Sequence, residues 1–338
     1  MKRIILSGGG TGGHIYPAVT IARELENVEP VEILFVGTPN GMESRIIPEE
    51  GYRFPSIPAS GLKRKITFEN VKMAAALSHI PTMIQEQNVI PGVTNKILSH
   101  VVDRVALGYK EAKARFPVQD KCVYTGNPTR PAIREAKRDE SRKKLGIRPD
   151  DFMVLVAGGS RGARNINNAM LGVHRHFKDT PGLCLYHVTG TRDYGNVLKE
   201  LGEVDERGYY GSSSRIVDYQ HDMPSAMAAA DLVIYRAGAV GLAEVAVRGL
   251  PSILIPYPYA AEDHQTYNAR VFVAAGAAKM IEDKYLTAQE LIQDIEELHN
   301  HKDVLAGMAE AAEKLGKASA GADIAHMALE LAGKKGER

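Results

Sequence analysis

Short apolar runs alternate along the whole chain with stretches whose apolar residues recur at helical spacing. In the first half the runs predict strands over residues 3–6, 32–36, 82–85 and 104–107, and the helical spacing predicts helices over 17–25, 42–50, 71–77 and 93–98. The second half repeats the scheme. Strands are predicted over 152–157, 183–188, 214–217, 232–235 and 252–255. Helices are predicted from residue 165 and over 223–230, 241–248, 266–275, 288–299, 306–315 and 322–331. Strand and helix periods in regular alternation are the mark of α/β units on parallel sheets.

Two of these strands end in glycine turns. After Ile4, Ile5 and Leu6, five glycines and Thr11 fill six positions, Gly8 to Gly13, and lead into His14 and a helix. The second opening is Phe152-Met-Val-Leu-Val-Ala, followed by Gly158-Gly-Ser-Arg-Gly-Ala163 and a helix from Asn165. Strand, glycine turn and helix together bring backbone N–H groups close to a phosphate or sugar at a helix N-terminus. Two such openings predict two similar nucleotide-fold domains, 1–130 and 151–321. The proline- and charge-rich stretch 131–150 is the expected linker, and 322–338 a terminal helix with a basic tail. Turns at the carboxyl ends of the strands of both domains are expected to face one crevice.

Gly8, Gly10 and Gly13 also satisfy G-x-G-x-x-G, so a dinucleotide dehydrogenase has to be weighed. Such a site wants a carboxylate at the end of its second strand. Here that strand runs into Gly37-Thr38-Pro39-Asn40, which counts against the dehydrogenase. His14 at the lip of the loop is the ionisable group instead. A helix N-terminus disfavours imidazolium, so His14 is expected to be neutral and able to accept a proton.

The chain has 338 residues, a formal net charge of +1 and no Trp, which gives no basic or aromatic surface for nucleic acid. Cys122 and Cys184 stand far apart without ligand spacing and read as free thiols. No run approaches the roughly 20 apolar residues of a spanning helix. No metal-binding spacing is present, and no cofactor is expected.

The densest chemistry lies in Arg236-Ala-Gly-Ala-Val-Gly-Leu-Ala-Glu244. The amides of residues 236–239 follow a strand and open a helix, so they can face a diphosphate. Glu244 can accept two hydrogen bonds from a ribose diol. Glu262-Asp263-His264-Gln265 begins the next helix, and its side chains can either hold sugar hydroxyls or cap the helix.

In combination these motifs resemble the bacterial peptidoglycan N-acetylglucosaminyltransferases, a branch of the GT-B glycosyltransferases. The resemblance rests on Gly8-Gly-Gly-Thr-Gly-Gly-His14, Glu86-Gln-Asn88, Pro91-Gly-Val-Thr-Asn95, Gly126-Asn-Pro128, Gly158-Gly-Ser-Arg-Gly-Ala163, and Arg236-Ala-Gly-Ala239 with Glu244 and His264-Gln265. It runs from residue 1 to about 330. It implies a GT-B fold of two Rossmann-like parallel-sheet domains facing a central cleft. It implies inverting, metal-independent transfer of GlcNAc from UDP-GlcNAc to the muramoyl C4 hydroxyl of lipid I, giving lipid II at the cytoplasmic face of the cell membrane, a step of cell-wall biogenesis and cell division. Residue by residue, it implies His14 as the base that takes the C4 proton. Thr11, Gly12 and Gly13 would face acceptor and donor sugar, and Asn88 would touch the transferred GlcNAc. Arg130 and Ser160 would hold the UDP phosphates, and the backbone of Gln220 would read uracil. Ala239, Val240, Gly241, Leu242, Ala243 and Glu244 would wrap diphosphate and ribose. Gln265 would orient GlcNAc, with His264 as a candidate sugar contact. The implied partners are UDP-GlcNAc, lipid I and the membrane surface; oligomeric state is not implied.

The chain departs from the family pattern at four places. About two dozen residues of the pattern are missing between Gly61 and Pro81, including a strand and a glycine-rich turn thought to help bind the acceptor diphosphate. Gln85 stands where the family has His, Tyr235 where it has a small Ser, and Val240-Gly241 where it has hydroxyl-bearing or branched residues. Leu62-Lys-Arg-Lys-Ile66 is a candidate membrane-contacting tip. The missing segment keeps two alternatives open: a UDP-GlcNAc-binding protein with an impaired acceptor site, and a UDP-GlcNAc 2-epimerase-like enzyme.

Overall fold

The computed structural model describes residues 1–10, 12–56, 80–159 and 163–333. The chain divides into two units, one made of 1–130 and 317–338, the other of 131–316.

In the first unit, β1 (Lys2–Leu6) pairs in parallel with β2 (Val31–Phe35), Ile4 opposite Ile33. Between them runs α1 (Gly12–Val28), which begins five residues before the predicted start at Pro17 and so takes Gly12, Gly13 and His14 into its first turn. Pro17 lies inside this helix one turn from its start, where it has no N–H to give the carbonyl of Gly13. After α2 (Glu43–Glu49) the chain bridges the far side of β2, Leu34 to Arg53 and Gly37 to Ser56. A second parallel sheet holds β3 (Met83–Glu86), β4 (Arg104–Leu107) and β5 (Cys122–Tyr124), with α3 (Val93–Leu98) between β3 and β4. The C-terminal helix (Ala320–Gly333) returns to this unit. Its Ile324, Ala325 and Leu329 share a core with Ile15, Ala22 and Leu25 of α1. The helix predicted over 71–77 and the candidate tip at 62–66 lie outside the described residues.

In the second unit, the stretch expected to be a linker is folded. It forms α4 (Pro131–Glu135) and α5 (Arg138–Leu145), and Arg142 of α5 is only 2 % exposed. Its guanidinium donates to the carbonyls of Ala229, Arg148, Pro149 and Asp151 and pairs with Asp231 at 2.7 Å. Asp231 in turn accepts from the amide of Met153. The charges that suggested solvent therefore tie this stretch to the starts of two core strands. A buried charge is tolerated when it is paired and fully hydrogen-bonded.

The main sheet follows. β6 (Phe152–Ala157), β7 (Leu183–Val188), β9 (Ser214–Val217), β10 (Leu232–Tyr235), β11 (Ser252–Leu254) and β12 (Ala278–Met280) are parallel, and β8 (Tyr209–Tyr210) is antiparallel at one edge. The spatial order is β12-β11-β10-β6-β7-β9-β8. Setting β8 aside, this is the 3-2-1-4-5-6 order of a doubly wound nucleotide-binding sheet. The helices between strands are α6 (Arg164–His176), α7 (Tyr194–Leu201), α8 (Met223–Ala229), α9 (Ala239–Val247) and α10 (His264–Ala274), followed by α11 (Ala288–Asn300) and α12 (Lys302–Leu315). Met153, Val154, Leu155 and Val156 of β6 are completely buried.

Candidate functional site

In the second unit the strand order reverses between β6 and β10, so the chain leaves these adjacent strands in opposite directions. That divergence opens a crevice beyond their carboxyl ends, where open α/β sheets bind ligands. The described residues at that point are Gly158 and Gly159 after β6, and 236–239 after β10. At Gly159 (φ +91°) and at Gly238 an added Cβ would meet nothing within 4 Å, so the backbone is open to a close-lying group.

Three buried groups hold these turns from behind. Arg236, expected only to lend its amide, turns its side chain inward: it donates to the carbonyls of Ile255 and Pro256 and pairs with Asp283. Asp283 also accepts from Asn165 in the first turn of α6, so the two turns share one anchor. Asn268 of α10 is fully buried and donates to the carbonyl of Ala237. A second network fixes the ends of β7 and β9. His187 bonds His174 (3.1 Å) and Asn167 (3.0 Å), His174 bonds Ser214, and Asn167 donates to Thr189 O. Burial lowers both imidazoles, His174 to about 3, and the close contact of the two rings, which forbids both from carrying charge, lowers His187 further, so both are neutral.

The predicted donor residues take these places. Ala239 opens α9 and is buried, as are Leu242 and Glu244, while Val240, Gly241 and Ala243 are half-buried. Glu244 is 5 % exposed, more enclosed than a solvent-facing helix carboxylate. Gln220 has both ends of its side chain engaged, donating to the Tyr186 hydroxyl and accepting from the Asp222 amide, which leaves its role to the backbone. Gln265 accepts from the Tyr257 amide at 2.9 Å. His264 Nδ1 donates to Ala261 O, which directs the Nε2 lone pair away from that bond. The approach to α10 is strained: Glu262 and Asp263 have φ of 51° and 54°, a left-handed conformation rare outside glycine. Ser160 lies outside the described residues.

Two departures from the family pattern turn out to be one. A Cβ on Gly241 would lie 2.7 Å from Cε1 of Tyr235. The tyrosine ring occupies the space that a larger residue 241 would need, so the two positions are sterically coupled.

In the first unit, Gly13 and His14 are exposed in the first turn of α1, and Gly12 is half-buried. Two residues on, the ring of Tyr16 carries the guanidinium of Arg130 5.5 Å from its centroid, which brings Arg130 to the His14 end of α1. Thr11 lies outside the described residues. Asn88 is held by Glu86, whose buried carboxylate accepts from the Asn88 amide and side chain, the Gly92 amide and the Asn95 side chain. The Glu-Gln-Asn motif is thus a carboxylate gathering its own loop. Gln85 donates to Asn127 and accepts from Gln87, so it serves as an amide link where the family has imidazole. Among the described residues, no group of three His, Cys, Asp or Glu could hold a metal ion, and no helix is long and apolar enough to cross a membrane.

Two features escaped the sequence reading. Glu43 reaches the glycine loop from α2 with its carboxylate buried. A carboxylate does follow the second strand, then, but it points inward to backbone amides. The signal was Glu43 at the head of a predicted helix, between Gly41 and an apolar run. The second feature is an apolar face on and around α3, where Val93 and Ile97 are 57 % and 60 % exposed. Ile97 lines a groove with Lys96, His100, Arg115 and Phe116.

The glycosyltransferase family 28 C-terminal domain model matches residues 153–326, and its N-terminal domain counterpart matches 4–77. A protein of Desulforamulus reducens named UDP-N-acetylglucosamine–N-acetylmuramyl-(pentapeptide) pyrophosphoryl-undecaprenol N-acetylglucosamine transferase is 40% identical, covering 95% of this chain and 96% of the relative. A protein of the same name from Desulforudis audaxviator is 39% identical over 369 residues, covering 98% and 99%. That alignment is longer than this 338-residue chain, so the relative carries sequence that this chain lacks. Among solved structures, MurG of Acinetobacter baumannii matches with a TM-score of 0.74 at 23% identity, over 98% of this chain and 100% of that one. The likeness extends to a UDP-GlcNAc 2-epimerase of Neisseria meningitidis, with a TM-score of 0.64 at 12% identity over 98% of this chain and 100% of that one, which is a likeness of fold alone.

Proposed function

The chain belongs to glycosyltransferase family 28, and from that membership we propose how its residues carry out the transfer of GlcNAc from UDP-GlcNAc to N-acetylmuramyl-(pentapeptide) pyrophosphoryl-undecaprenol. The observation that carries the reading is the near full-length identity to transferases of that name, spanning both units.

The second unit binds the donor. Its two open glycine turns stand at the switch point, where the amides and the N-terminus of α9 complement a diphosphate, and Glu244 accepts from the ribose hydroxyls. The backbone at Gln220 reads uracil, and Gln265 with His264 orients the sugar. The first unit supplies the acceptor chemistry. Neutral His14 takes the C4 proton as the acceptor oxygen attacks the anomeric carbon. The bond to the diphosphate breaks on the opposite side, and UDP leaves with the electron pair. Arg130 and the amides around it balance the charge that develops on the leaving group. Thr11, Gly12, Gly13, Asn88 and Ser160 take the contacts that the family resemblance implies. Work on a polyprenyl-linked acceptor calls for a surface that rests on a membrane, and the exposed Val93 and Ile97 beside Lys96 and Arg115 suit an anionic cytoplasmic leaflet.

The test is a paired assay on the full chain: UDP-GlcNAc binding by calorimetry, and transfer to a lipid I analogue by mass spectrometry. Binding with transfer supports the reading. Binding without transfer refutes the acceptor half, and UDP-ManNAc formed from donor alone would replace transfer by epimerisation.

A further inference from the structure

The glycine loop of the first unit already contains an anion. Glu43, the first residue of α2, is 2 % exposed. Its Oε2 accepts from the amide of Gly10 at 3.0 Å. Its Oε1 accepts from the amide of Thr38 at 3.2 Å and from the Thr38 hydroxyl at 2.7 Å. Glycine encloses it on three sides. An added Cβ would lie 2.6 Å from Oε1 at Gly9, 2.2 Å from both oxygens at Gly41, and 2.8 Å from Cγ at Gly37. Burial alone would raise this carboxyl, but the hydrogen bonds from Thr38 and Gly10 outweigh it and bring it down to about 2, so it is ionised at any working pH.

Loops of this shape bind phosphate because their amides point at one place. Here that place is taken by a carboxylate that belongs to the chain. A substrate phosphate brought to the same amides would meet a buried like charge and find Gly10 already bonded. The glycines therefore serve to admit Glu43, which braces the loop at Gly10 before any substrate arrives. The bracing lies next to His14: a Cβ at Gly8 would lie 2.9 Å from the carbonyl oxygen of His14. The loop is packed against the backbone of the turn that carries the imidazole.

The geometry points to Glu43 as an internal substitute for a bound phosphate, a positioning residue that holds the glycine loop and, through it, His14. The inference rests on His14 acting as the base. It further implies that the nucleotide diphosphate does not bind at the Gly10 amide.

The experiment is Glu43→Ala in the full chain, with and without sodium acetate, and with sodium chloride of equal ionic strength as control. Acetate supplies the atoms that the substitution removes. Transfer to a lipid I analogue should fall by about 10² in kcat, the scale of a catalytic group misplaced by about an ångström, with KM for UDP-GlcNAc unchanged. Acetate, and not chloride, should restore part of kcat and raise the melting temperature of the variant while leaving the wild type unmoved. Glu43→Gln keeps one acceptor and should lose roughly tenfold, since it can serve Gly10 or Thr38 but not both. This variant carries the test if Glu43→Ala does not fold. Wild-type kcat in both variants, an acetate effect no larger than that of chloride, or a loss confined to donor KM would overturn the proposal. The acetate shift in melting temperature reads the proposal without catalysis. Its presence in a chain that transfers nothing would separate a sound anion site from a failed function.

Discussion

β1 and β6 are the same device in two settings. Each is an apolar strand that ends in a glycine turn and leads into a helix. β6 lies between β7 and β10, and its Met153 to Val156 are fully buried. β1 pairs with β2 alone among the described residues, and its Ile5 is 66 % exposed. In the order that the second unit follows, a fourth strand would flank β1 on its other side. The loops differ as well. The turn after β6 is open at Gly159, whereas the turn after β1 is filled at Gly9 by Glu43. A local signal can thus be repeated faithfully while its surroundings differ: one turn is open, and the other is filled from within by Glu43.

The comparison breaks most readily at its cores. Leu155→Ala in β6 should cost about 2–5 kcal/mol, while Ile5→Ala in β1 should stay within about 0.5 kcal/mol, as read by urea unfolding with a probe in each unit. Equal costs would mean that β1 is as deeply packed as β6. Next comes the division of labour. His14→Ala should lower transfer by ~10² or more, about 2.7 kcal/mol, and leave UDP-GlcNAc affinity intact. Glu244→Ala should instead weaken donor binding by about tenfold or more in calorimetry. A donor-binding defect in the His14 variant would merge roles that the comparison keeps apart.

Gly241→Ala should cost about 1–3 kcal/mol of stability, because the methyl meets the Tyr235 ring, and should weaken donor binding with it. Combined with Tyr235→Ala it should be nearly neutral, and strict additivity in that double-mutant cycle would show that the ring and the glycine are independent. The last effect is graded in pH. His174 and His187 titrate lower folded than unfolded, so the unfolded chain binds more protons and the second unit loses stability as pH falls from about 6.5 toward 3. Glu43, also depressed, contributes stability to the first unit that is lost only between about 4.5 and 2. Acid should therefore loosen the second unit first, and hydrogen exchange at stepped pH will show the order.

Most of the parallel strands were legible because each is a bounded apolar run. β5, β8 and β12 were missed, being only three, two and three residues long. The start of α1 was misplaced because Pro17 looks like a first helical residue and glycines look like loop. The positions of the two glycine turns were legible from glycine spacing alone, but the inward course of Arg236 was not, since its partner Asp283 is distant in sequence. Glu43 was invisible for a similar reason: a carboxylate at the head of a helix is ordinary until three glycines are seen to close around it. Tyr235 and Gly241 were each noticed, but contact between a strand end and the next helix cannot be read from spacing.

The C-terminal helix has a consequence for how the molecule is made. The second unit is one continuous segment, 131–316, and can fold once it has emerged from the ribosome. The first unit is emerging long before that, yet the core of α1 is completed only by Ile324, Ala325 and Leu329. The half of the protein synthesised first is therefore finished last, and during translation its apolar helix must wait, exposed, for the end of the chain.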